Sequence, residues 1–120
     1  MNKKLQALFV SAATVFASAT VFANQVPEVV YQPKDAQLIK QQHKHNGEYE
    51  ATYSLPGNDV RPLAQEVEAY AKSKGFNVVK SEIRPDDAEF TFRRDRQELE
   101  VSIEAEKNNL IEYEVDFEIN

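Results

Sequence analysis

Eight acidic side chains in the last twenty-four residues all occupy even-numbered positions, with apolar residues at most of the odd positions between them. Glu98, Glu100, Glu104, Glu106, Glu112, Glu114, Asp116 and Glu118 alternate with Leu99, Val101, Ile103, Ala105, Ile111, Tyr113, Val115, Phe117 and Ile119. A period of two is that of a β-strand, whose successive side chains point to opposite sides. The pattern predicts two half-buried strands with all eight carboxylates on one side and a hydrophobic core on the other.

The start of the chain decides which residues belong to the fold. Met1 to Lys4 is cationic, Leu5 to about Phe16 is mostly apolar, and small residues follow through Ala23. This is the order of a secretory signal peptide. Residues 1–23 are expected to be cleaved before Asn24, after Val21-Phe22-Ala23, with Ala17-Ser18-Ala19 as a second candidate site. Gln6, Ser11 and Thr14 break the apolar run, which falls short of the roughly 20 residues a spanning helix needs. The expected location is therefore the periplasm or exterior, with no stable membrane insertion after cleavage. No cysteine is present, which excludes disulfides, thiolate metal sites and attachment of a lipid through cysteine.

Charge narrows the partners. The whole chain carries a formal net charge of -6, and loss of Lys3 and Lys4 with the signal would make it -8. Residues 97–120 set their eight acids against Lys107 alone, while the rest of the exported chain is close to neutral. A nucleic-acid binder is expected to show a basic stripe, so none is expected here. A basic protein or peptide, or a second copy of the chain, is the expected partner.

Residues 24–46 read as an N-terminal arm or linker lying outside the core. Val26 to Tyr31 suits an extended arm or short edge strand, because Pro27 cannot donate to a ladder. Asp35 to His45 reads as a possible short helix capped by Asp35 and stopped by Asn46-Gly47. The domain proper then spans 47–120. From Gly47 to Leu55, Tyr49, Ala51, Tyr53 and Leu55 alternate with Glu48, Glu50, Thr52 and Ser54, which makes a strand. Pro56-Gly-Asn-Asp59 supplies a turn and a cap. Val60, Leu63, Ala64, Val67, Tyr70 and Ala71 then recur at helical spacing, predicting a helix over about 59–74 with Pro62 in its first turn and Gly75 at its end.

Three hairpin units follow. Parity requires facing residues to share a side, so Val79, Ser81 and Ile83 are expected opposite Phe92, Phe90 and Ala88 across Arg84-Pro-Asp-Asp87. Phe92 is then expected opposite Leu99, Phe90 opposite Val101, and Arg93 beside Glu98. The last turn falls at Lys107-Asn-Asn109, and Glu104 faces Glu112 or Glu114. The whole is α+β, with one antiparallel sheet of about five strands, β-α-β-β-β-β, and one helix on its apolar face. That order resembles cystatin-like folds, in which a meander sheet wraps one helix, and its helix-plus-hairpin section is similar to PepSY-type modules. The resemblance implies an inhibitor or binding module. The Gln-x-Val-x-Gly segment of a cystatin's first hairpin loop is replaced here by Arg84-Pro-Asp-Asp87.

Two readings compete for the carboxylates. A solvated polar face is usual on open antiparallel sheets, and charged edges discourage aggregation. Alternatively the face engages something basic, which would explain why carboxylates stand opposite one another despite mutual repulsion. Self-association in an envelope structural or stress-response protein is the second functional class, with the basic Lys40–His45 segment lying on a neighbour's acids. An acid-responsive chaperone is a variant of it. No dedicated metal site or cofactor is expected: sheet positions spread their oxygens, whereas Ca²⁺ gathers six to eight around a point. Asp86, Asp87 and Glu89 lack the Ca²⁺-loop order, and His43 and His45 supply two ligands at most. The chain has no Cys nucleophile, no glycine-rich phosphate loop and no nucleophile elbow around its serines. The catalytic pair to test is Glu104 with Glu112 or Glu114, acting as paired carboxylates in a small hydrolase. A non-enzymatic module is the expectation.

Overall fold

The computed structural model describes residues 25–120, and the expected signal peptide lies outside the described residues. The described chain is an α+β fold made of one antiparallel sheet and one helix. In chain order the elements are β1 (Gln37–His43), a 3₁₀ turn (His45–Gly47), β2 (Tyr49–Pro56), α1 (Arg61–Ser73), β3 (Asn77–Ile83), β4 (Asp87–Arg94), β5 (Gln97–Glu106) and β6 (Leu110–Ile119). The sheet order is β1-β2-β6-β5-β4-β3. Strands β3 to β6 form a meander, and β2, which precedes the helix, closes onto the last strand.

The sheet has six strands, not the expected five, because the segment read as a short helix is β1. Asp35 sits at φ 67°, which no helix N-cap adopts, and Asn46 and Gly47 lie at φ 68° and 84°. The same Asn-Gly pair that can stop a helix also bends a hairpin, since both residues tolerate positive φ. The turn brings His43 opposite Tyr49, and Lys44 N–H donates to the Glu48 carbonyl at 2.8 Å. Pairing with β2 satisfies the segment's backbone in a way that two apolar anchors on an isolated short helix cannot match.

Helix α1 is closed at both ends by its own sequence. The N-cap is Val60, which gives no side-chain cap, and not Asp59 as expected; from one residue earlier Asp59 Oδ1 still accepts from the Arg61 backbone N–H at 3.0 Å, and Pro62 costs nothing in the first turn. At the other end Phe76 N–H donates to Ala71 and Gly75 N–H donates to Lys72, with Gly75 at φ 89°. That pair of bonds is a Schellman cap, which needs a residue free to adopt the left-handed region. Leu63, Ala64, Val67 and Ala71 are buried beneath the helix, which packs over β3 and β4.

The rest of the apolar side is covered by the N-terminal arm. Val29 and Val30 are buried in the core, contrary to the expectation that residues 24–46 lie outside it. Tyr113 O–H donates to the Tyr31 carbonyl at 2.8 Å and Tyr70 O–H to the Glu28 carbonyl at 2.6 Å. Between arm, helix and sheet lies a cavity of about 10 Å³, lined by Val29, Val67, Leu99, Val101 and Tyr113 among others. One thirteen-residue helix is too narrow to cover six strands, so the arm supplies the missing apolar cover.

The hairpin registers agree with parity except at one point. Phe90 faces Val101, Phe92 faces Leu99, and Ser81 and Ile83 face Phe90 and Ala88. Val79 is not opposite Phe92; Val78 is, because the register shifts between Val78 and Lys80. A bulge inserts one unpaired residue, and Val79 is left 54% exposed. Strand β1 carries a matching shift between Leu38 and Lys40. Among the described residues no helix is long and apolar enough to cross a membrane.

Candidate functional site

The strand pairings place the even-numbered residues of β5 and β6 on the side of the sheet away from α1. None of the eight carboxylate residues from Glu98 to Glu118 is fully buried, whereas Leu99, Val101, Ile103, Ile111, Tyr113, Val115 and Phe117 all are. Register then aligns residues of all six strands into rows across this open side. One row runs Gln42, Glu50, Asp116, Glu100, Thr91, Lys80; the next runs Lys40, Thr52, Glu114, Ser102, Glu89, Glu82. Neighbours in such a row stand about 4.5–5.5 Å apart at Cβ.

The two rows floor a groove of about 660 Å³. Its carboxylates are Glu50, Glu89, Glu100, Glu114 and Asp116, and its two ends carry Lys40 and Lys80 from the edge strands. Glu50, Asp116 and Glu100 sit side by side on three adjacent strands. Lys44 reaches Glu50 at 3.4 Å and Lys80 reaches Glu89 at 2.9 Å. None of the salt bridges among the described residues reaches Glu100, Glu114 or Asp116.

Crowding shows in the ionisation of these groups. Glu100 is raised above its ordinary pKa, first by a hydrogen bond shared with Glu98, then by burial and the charges of Glu98, Glu118 and Asp116. Asp116 is raised chiefly by burial, with Glu118 adding to the shift and Lys44 opposing it. One of its oxygens, Oδ1, is buried without a hydrogen-bond partner. Glu98 moves the other way, lowered by the Arg93 guanidinium, which donates to it at 2.8 Å. The cross-strand Arg93–Glu98 pair stands where parity puts it.

Of the eight sequence-flagged acids, only Glu100, Glu114 and Asp116 line the groove. Glu98 and Glu118 face each other one row beyond it, and Glu104 faces Glu112 one row beyond on the other side. Glu106 stands next to that pair at the hairpin end, and ligand oxygens of Glu104, Glu106 and Glu112 lie within 4.8 Å of one another. Sheet carboxylates are thus less dispersed than strand spacing alone suggests, because a directly opposed pair and its diagonal neighbour converge. Burial raises both Glu104 and Glu112, helped by Glu106 and Glu114. Glu104 and Glu106 are exposed, and neither Glu104 nor Glu112 lines the groove.

Sequence reasoning overlooked Glu50, Glu89, Lys40 and Lys80 as groove residues. The parity of Glu50 within its strand was visible; its neighbour Asp116 lies sixty-six residues away and depends on the β2–β6 pairing. The histidines part company: His43 ends β1 with its ring 4.8 Å from that of Tyr49, while His45 opens the 3₁₀ turn. No protein-family model matches the chain, and no curated protein sequence is similar to it.

Proposed function

We propose that this protein is a small exported, non-enzymatic binding module that engages a basic protein or peptide through the groove on its open sheet face. The observation that carries the reading is the groove's unequal charge: five carboxylates from four strands, of which Glu100, Glu114 and Asp116 form no salt bridge among the described residues. A cationic segment laid across the strands would relieve their mutual repulsion, whereas a solvated face gains nothing from concavity. Lys40 and Lys80 at the two ends would discriminate against ligands extending past the groove with positive charge. The reading carries over from the cystatin-like expectation an inhibitor- or adaptor-like role in the periplasm or exterior. Catalysis by Glu104 with Glu112 is the weaker reading, because the pair stands outside the groove and Glu104 is exposed.

Binding of a fluorescent oligolysine peptide tests the reading. The triple variant Glu50→Gln, Glu100→Gln, Asp116→Asn is compared with Glu104→Gln, Glu106→Gln, Glu112→Gln, which removes the same charge from the hairpin end. Local recognition predicts a loss of about tenfold or more for the groove variant and little for the other at 0.15 M salt, where charges beyond about 8 Å are screened. Equal losses would mean that net charge alone attracts the peptide, and the groove reading would fall.

A further inference from the structure

Among the described residues the sheet ends in two edge strands, β1 and β3, and they are built alike: each carries a bulge directly before a lysine, Lys40 or Lys80, and each leaves apolar side chains exposed. Leu38 and Ile39 are 40% and 55% exposed on β1, and Val79 and Ile83 are 54% and 36% exposed on β3. A lysine on an edge repels an arbitrary strand. It does not repel a strand that brings a carboxylate to the opposing position, and here the two edges differ. Gln37–His43 contains no acid, whereas Asn77–Ile83 contains Glu82 two residues from Lys80.

We propose that β3 pairs antiparallel with β3 of a second copy, about a two-fold axis at Ser81. In that register Lys80 faces the second copy's Glu82 on the groove side, Val79 faces its Ile83 on the helix side, and Ser81 faces itself. The β1 edge has no such solution, because a two-fold at Lys40 sets lysine against lysine. Within each copy Lys80 already holds Glu89 at 2.9 Å and Glu82 lies 3.6 Å from Arg84. Pairing would link these into one charge ladder, Glu89–Lys80–Glu82–Arg84, repeated twice by symmetry. The contact is isologous and closes at two copies, making a twelve-stranded sheet with both grooves on the same side. Only about five residues of each strand take part, so the association is weak. The pairing does not rest on what the groove binds, although Lys80 also stands at one end of the groove.

Sedimentation equilibrium on the protein as exported, with its N-terminus recorded by intact mass, tests the pairing up to about 1 mM, the range in which a weak dimer populates. The expected result is a monomer–dimer equilibrium without larger species. Lys80→Glu and Glu82→Lys, both at exposed positions and checked for fold by circular dichroism, should each weaken the dimer by about tenfold, since each turns two attractive pairs into repulsive ones. The double variant, with the charges exchanged, should restore it to within about threefold. A monomer at every concentration would overturn the proposal. So would a dimer indifferent to both single variants or not rescued by the double one, or growth beyond two copies, which marks head-to-tail β1–β3 contacts.

Discussion

The two sides of strand β5 differ in what holds them. Leu99, Val101 and Ile103 are sealed against arm, helix and neighbouring strands, while Glu98, Glu100 and Glu104 look out from the other side of the same backbone. Burial on the first side yields free energy in proportion to apolar area removed from water. On the second side charge repulsion spends a little of it. Stability and the proposed recognition are therefore separable: the apolar side can be damaged without touching the groove, and the groove can be neutralised without loosening the core.

The largest test of that separation is Phe92→Ala. Phe92 is fully buried and stacks on Phe90 with ring centroids 5.1 Å apart. Truncation is expected to cost about 3–5 kcal/mol in urea denaturation. A loss below about 1 kcal/mol would mean that the apolar side is not the main source of stability.

Next comes Val30→Ala in the arm, with Val30 only 2% exposed. Loss of two buried carbons should cost about 1.5–2 kcal/mol. An unchanged urea midpoint would return the arm to the role of a linker.

Mild acid should sharpen the contrast. Glu100, Glu104, Glu112 and Asp116 all have raised pKa values, Glu100 first through its hydrogen bond with Glu98 and the others first through burial. An acid whose folded value is raised holds its proton more tightly in the native state, so stability falls as pH rises from the unfolded value, about 4, through the folded one. Thermal midpoints should therefore rise on acidification from neutrality towards about pH 5, and the rise should vanish when the four are replaced by Gln or Asn. Further down, Asp59, held at about 2 by its Arg61 hydrogen bonds, and Glu98, lowered by Arg93, act in the opposite sense, and stability turns over. A midpoint that falls steadily from pH 7 would break the prediction.

The smallest effect belongs to Glu100→Gln alone. Removing one member of a crowded row should stabilise by a few tenths of a kcal/mol, up to about 1. Destabilisation of that size or more would show that Glu100 is a structural anchor, not a member of a recognition surface.

Much of this was legible from local pattern. The period-two alternation set the two sides of β5 and β6, Asp59, Pro62 and Gly75 bounded the helix, and parity placed Phe90 on Val101 and Arg93 on Glu98. Where reading failed, the deciding interaction was distant or the local signal was double-edged. Asn46-Gly47 suits a helix stop and a hairpin equally, and only the neighbouring edge of β2 selects the hairpin. The bulge at Val79 shifts one residue without any mark in composition.

The sequence by itself determined which atoms must avoid water and which must meet it, because strand and helix periods are properties of the local backbone. Only the tertiary structure decided that β2 joins β6, that β1 completes the sheet, and that Val29 and Val30 finish the core. Those choices turn on which distant surfaces fill the space that one short helix leaves over a six-stranded sheet. The same choices set Glu50 beside Asp116 and so made a groove from carboxylates that the chain lists far apart.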